Sequence, residues 1–169
     1  MNTLYKIVAS VCSLALVPAP LMAQQDDTLS QTATPAAPVV LSGDVMVVKT
    51  IVDDTGAERT ELVKPDLIVP GDRLVFGTDY ANNGGEAVTN FVVTNPLPAA
   101  VRLAPDSDPA LVVSVDGGAS WGQLSALTVK AEDGSDRSAS HADVTHVRWT
   151  LASIEPGMSG RLEYPAIIR

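Results

Sequence analysis

Apolar and β-branched residues recur along this chain in short runs separated by turn-forming residues, and the period of those runs is two. DVMVVKTIV, beginning at Asp44, is followed by the turn DDTGAE and then by ERTELVK, which reads as a hairpin. Pro70-Gly71-Asp72 opens the next strand, RLVFGTDYA, where Leu74, Phe76, Thr78 and Tyr80 share one face and Val75, Gly77 and Asp79 the other. Asn82-Asn83-Gly84-Gly85 turns the chain again, and AVTNFVVTNPLP runs extended to its prolines. ALVVSVDGGASWGQL, THVRWTLASI and SGRLEYPAII complete the set; in the second, Val147, Trp149 and Leu151 alternate with Arg148 and Thr150. Prolines at 96, 98, 105, 109 and 156 leave little room for helices. About seven or eight short strands joined by turns predict an all-β antiparallel sandwich over residues 44–169.

The amino-terminal segment follows a different pattern. Lys6 precedes an apolar run from Ile7 to Val17, Pro18 and Pro20 break it, and Leu21-Met22-Ala23 places a small residue before Gln24. This is the anatomy of a secretory signal peptide over residues 1–23, and its apolar run is shorter than the ~20 residues of a membrane-spanning helix. Val11 stands before Cys12 where a lipoprotein signal carries a smaller residue, so cleavage before Gln24 is expected, with no transmembrane segment left afterwards. Residues 24–43, rich in Gln, Thr, Ala and Pro, read as a flexible spacer with a short extended end at Val39–Leu41. The expected location is therefore the periplasm or the cell surface.

Charge and cysteine content narrow the function. The chain has 20 acidic against 11 basic residues, a formal net charge of −9, which repels phosphate backbones and argues against nucleic-acid binding. Cleavage removes the only cysteine, so the exported domain would stand without disulfides or thiol chemistry and would need a full apolar core.

The run VPGDRLVFGTDYANNGGEAVTNFVVTNPLPAAV, with the later LVVSVDGGASWGQLSALTV, HADVTHVRWTL and IEPGMSGRLEYPAII, resembles the bacterial conserved repeat surface domain, known as domain of unknown function eleven. The resemblance spans residues from about Asp66 to Ile168 and rests on the order of features. Pro-Gly-Asp leads into a strand, an Asn-Gly-Gly turn follows, and Asn95-Pro96-Leu97-Pro98 forms a corner. It implies an immunoglobulin-like sandwich on an exported envelope or surface protein, here in a single copy, acting as a spacer or adhesive module beside an envelope protein partner. It implies no catalytic residues and no cofactor. Gly71, Asp72, Asn82, Asn83, Gly84, Gly85, Asn95, Pro96, Pro98 and Gly157 read as structural turn and edge residues, with Gly71, Gly84, Gly85 and Gly157 suited to positive φ.

One motif points elsewhere. Ser114, Asp116, Gly118, Ser120 and Trp121 fit S-x-D-x-G-x-[ST]-W, a pattern similar to the Asp box of sialidases and other glycan-active propellers. Its aspartate would accept backbone N–H groups in a hairpin turn, with Trp121 packed beneath it or exposed to stack on a sugar. One box in a chain this short does not make a propeller. A small glycan-binding protein using this hairpin is thus the competing expectation. A calcium-binding one using Asp106 and Asp108, or Asp133 and Asp136, is the other; neither loop follows the EF-hand spacing. Asp53 and Asp54 read as turn acids. His141, Asp143 and His146 would split across two strand faces, which argues against a metal site. No nucleophile elbow is present, since Gly157-Met158-Ser159-Gly160 has the wrong spacing.

Overall fold

The alternating runs form strands because β-branched and aromatic side chains pack well on a pleated, half-buried surface. The computed structural model describes residues 38–169. In chain order the strands are β1 (Val39–Val52), β2 (Glu58–Val63), β3 (Arg73–Asn82), β4 (Val88–Pro96), β5 (Val101–Leu103), β6 (Val112–Ser114), β7 (Gly122–Gln123), β8 (Thr128–Lys130), β9 (Asp136–Ser138), β10 (His146–Ile154) and β11 (Ser159–Ile168). A single 3₁₀ turn, Leu124–Ala126, interrupts them. Among the described residues no helix is long and apolar enough to cross a membrane.

Two antiparallel sheets make the sandwich. Sheet A has the order β2-β1-β3-β11-β5, sheet B the order β4-β10-β6-β7, and β8-β9 is a separate small ribbon. Strand β1 is shared along its length. Val39 to Val47 pair with β3, and Val47 to Val52 pair with β2. The expected hairpin therefore forms, and Asp53 turns it by accepting from Thr55 N, Thr55 Oγ1 and Ala57 N.

The core lies between the sheets. Val47, Leu74, Leu103 and Ala166 of sheet A meet Val113 and Val147 of sheet B, all buried. Tyr164 is the largest fully buried side chain: Phe76 stacks on it at 5.0 Å and Trp149 tilts against it at 6.1 Å. Burial pushes its hydroxyl pKa up to about 12.

Three details differ from the expected layout. Strand β1 begins at Val39, where the short extended end was expected, and runs on without a break, so residues 39–43, assigned to the spacer, belong to the sheet. Val39 is buried and Val40 to Gly43 follow β3 in register, so ladder pairing rather than apolar content fixes the boundary. The strand count reaches eleven because β5, β8 and β9 are three-residue pieces, too short to carry a period. Gly71 and Gly157 adopt positive φ as expected, at 93° and 75°, but Gly84 and Gly85 do not. Gly84 is instead held to a small size by Pro38, which a Cβ would meet at 2.7 Å. The signal peptide and residues 24–37 of the spacer lie outside the described residues.

The two layers are tied by asparagines. Asn82 is fully buried at the end of β3; its Nδ2 donates to Glu86 O and Ile154 O, each at 2.8 Å, and its Oδ1 accepts Gly84 N at 2.9 Å. Asn83 N reaches Pro38 O, and Gly157 N returns to Asn82 O, so one residue gathers three chain segments. Asn95 Nδ2 donates across the gap between the sheets to Thr78 Oγ1 at 2.7 Å. Asp72 caps the preceding turn by accepting Val69 N. Pro96 ends β4 on its outer edge, and Pro98 O accepts Val101 N in the next turn.

Candidate functional site

The Asp-box hairpin connects β6 to β7 on the outside of sheet B. Val112 and Val113 pair with Gln123 and Gly122, which leaves eight residues from Ser114 to Trp121 to reverse the chain. That reversal needs two left-handed residues, supplied by Gly117 at φ 77° and Gly118 at φ 94°. Ser114 is fully buried; its Oγ donates to Asp116 Oδ1 at 2.7 Å and accepts Gly118 N at 2.9 Å. Asp116 also accepts Ser120 N at 2.9 Å and the Ser120 hydroxyl. These donors, Ser120 Oγ foremost, then Ser120 N and Ser114 Oγ, hold the Asp116 carboxyl well below the usual carboxylate range.

Trp121 closes the loop. Its indole Nε1 donates to Gly118 O at 2.9 Å, and the ring lies half-buried against the turn. The guanidinium of Arg148 sits over the ring, 3.5 Å from its centroid, and Arg148 Nε donates to Thr94 Oγ1 at 3.3 Å. His146 meets the same indole edge-on at 6.1 Å, with Nδ1 beside Thr145 Oγ1. Thr145 Oγ1 donates to Ser114 O and accepts Gly117 N, both at 3.1 Å, which pins the hairpin to the strand that follows. The five motif residues are thus brought together in one turn, and every polar side-chain group among them is engaged within it. A sugar cannot stack on the Trp121 face that Arg148 covers.

Arg148, Thr94 and His146 were not singled out by the motif. The available signal was the alternation in HVRWTL, which sends Arg148 and His146 outward when Val147 and Trp149 turn inward.

The other candidate acids are dispersed. Asp106 forms an ion pair with Arg73, Asp136 with Lys130 at 2.9 Å, and Asp143 with Arg137 at 2.6 Å. Asp108 and Asp133 cap their own turns through Ala110 N and Ser135 N. Arg137, followed by the hydroxyl and N–H of Ser140, holds the Asp143 carboxyl well below its ordinary value. Among the described residues no group of three His, Cys, Asp or Glu side chains is placed to share a metal ion. His141 lines a cleft of about 350 Å³ with Leu103, Ser107, Asp108, Leu111 and Val113. It is remote in role from His146, which packs on Trp121.

No family model matches this chain, and neither the curated proteins nor the solved structures contain a match to it.

Proposed function

We propose that this chain is a non-enzymatic, exported cell-envelope module that acts as a structural, spacer or protein-interaction domain. The observation that carries the reading is the commitment of its reactive side chains. The Ser114 hydroxyl is buried and donates to Asp116, Asp116 is saturated by its own turn, and Asp143 is tied to Arg137 and Ser140. A nucleophile or general base needs a free lone pair or proton within reach of a substrate. The resemblance to the conserved repeat surface domain and the signal-peptide pattern support export and an envelope setting.

The glycan and calcium readings draw less support. Arg148 occupies a face of Trp121, and the Asp106, Asp133 and Asp136 carboxylates are spent on arginine, backbone or lysine partners. Calcium would need six to eight oxygens gathered around one point.

Proximity cross-linking in the native cell, followed by mass spectrometry, tests the interaction reading. A reproducible envelope protein, lost when the Asn82–Gly85 or Asp116–Trp121 loop is altered, is the expected result. Hydrolysis of glycan or ester substrates by the purified protein, abolished by one point substitution, would overturn it.

A further inference from the structure

Charge is divided unequally between the two sheets. The strands of sheet A carry Asp44, Glu58, Glu61, Asp79 and Glu163. The strands of sheet B, β4, β10, β6 and β7, carry no Asp, Glu or Lys at all. In a chain with 20 acidic residues, these are four adjacent strands without an acid, and Asp116 of the β6–β7 hairpin is engaged within its own turn. Its inward residues, Val93, Val113 and Val147, belong to the core. The outward set includes Val92, Thr94, Pro96 and Thr150, all exposed, with Arg148 and Trp121 half-buried at its centre.

Arg148 is the one formal charge on these strands, and it takes part in no ion pair among the described residues. Arg59, Arg73, Arg137 and Arg161 each hold a carboxylate; among the described residues Arg102 and Arg169 do not, but only Arg148 lies over an aromatic ring. The Arg148 guanidinium is nevertheless fixed, by the Trp121 ring below it and by Thr94 at Nε. Its two terminal nitrogens are the part of the fork that matches a carboxylate bidentately. A group already held flat loses little further freedom on binding. Asp116, the nearest acid in the hairpin, turns its carboxylate into its own loop.

We propose that the outer face of sheet B docks a protein partner that presents an Asp or Glu carboxylate to Arg148 from within an otherwise uncharged contact patch. This rests on the interaction reading above and adds the surface and the chemistry of the partner. Buried interface centres are rich in Trp and Arg and poor in Lys, Glu and Asp, which is the composition of this face. A protein fits better than a sugar, because the indole face a sugar ring would use lies under the guanidinium. A second copy meeting the chain through the same face would bring two arginines together with no strand acid between them.

A photo-cross-linking amino acid is introduced at Thr150 on this face, or at Thr60 on β2 of sheet A, in the full chain in native cells. Adducts are mapped by mass spectrometry, and the Thr150 experiment is repeated with Arg148→Gln and Arg148→Lys. The expected result is a protein adduct from Thr150 that maps to a segment containing Asp or Glu. It falls at least ten-fold with Arg148→Gln and less with Arg148→Lys. Val92→Glu, which changes an exposed side chain and supplies a competing carboxylate, is expected to lower it as well, so the test does not depend on one variant folding. An adduct from Thr60 alone overturns this surface while the interaction reading stands. No adduct at either position overturns both. A second copy or a glycan captured at Thr150, or a protein adduct undiminished by Arg148→Gln, overturns the carboxylate-presenting partner.

Discussion

The outer faces of the two sheets solve opposite problems. On sheet A, Arg161 lies across the backbone of Gly77 and is held by Asp44 at 2.6 Å, Asp79 at 2.9 Å and Glu163 at 2.6 Å. A Cβ at Gly77 would collide with that guanidinium, so the glycine makes room for the cluster. Three carboxylates around one arginine leave this cluster net acidic and hydrated, which favours solubility and discourages pairing with other chains. On sheet B the corresponding arginine, Arg148, has an indole and a threonine in place of carboxylates. Arg161 is thus neutralised on one face, whereas Arg148 on the other keeps its terminal nitrogens free of a carboxylate. The two faces share one core, so the difference lies in surface chemistry rather than in fold.

The two faces lose their shared core if the two layers come apart. Asn82→Ala leaves the Glu86 and Ile154 carbonyls and the Gly84 N–H without their buried partner, and is expected to cost about 3 kcal/mol. Urea denaturation measures it; a loss below ~1 kcal/mol would show that Asn82 does not tie the sheets.

Acid acts next, and on turns and ion pairs rather than on sheet B itself. Asp53, Asp106, Asp116, Asp133 and Asp143 all have carboxyl pKa values lowered by the fold. A carboxyl whose folded pKa lies below its unfolded value stabilises the fold above that unfolded value, and the contribution is lost as pH falls through the folded pKa. The melting temperature is therefore expected to hold near neutrality and to decline progressively below about pH 4, the ordinary aspartate value. A melting temperature that rises on acidification would contradict these assignments.

A smaller effect separates the two arginines. Arg161→Gln is expected to lower the melting temperature by an amount that shrinks as salt is added, because its partners are exposed carboxylates. Arg148→Gln is expected to cost only ~0.5–1 kcal/mol with little salt dependence, since its contacts are an aromatic ring and a hydroxyl. Equal salt dependence in the two variants, read by thermal melts at low and high ionic strength, would erase the distinction.

Much of this fold was legible in the sequence. Long strands with a clear period, such as RLVFGTDYAN and HVRWTLASI, appear where alternation placed them, because one face of each is buried against the other sheet. The short β5, β8 and β9 were not legible, since three residues carry no period; β8 and β9 pair only with each other, and β5 pairs with the distant Ala166 to Ile168. The Asp-box turn was readable because the hydrogen bonds of its motif side chains are local, within seven residues of Ser114. The stack of Arg148 on Trp121 was not, because it depends on β10 lying beside β6 and on the hairpin folding back over that strand. Gly84 shows the same limit. Its sequence context suggested positive φ, whereas the reason for a glycine there is Pro38, 46 residues earlier in the chain.

The most direct test of the division between the faces is a side-chain nitrogen NMR titration of the protein with N-acetylglutamate. Saturable shifts are expected at Arg148 Nε and Trp121 Nε1 and none at Arg161 Nε, which already holds Glu163. Shifts of equal size at both arginines, or none at Arg148 up to the highest concentration used, would contradict that division.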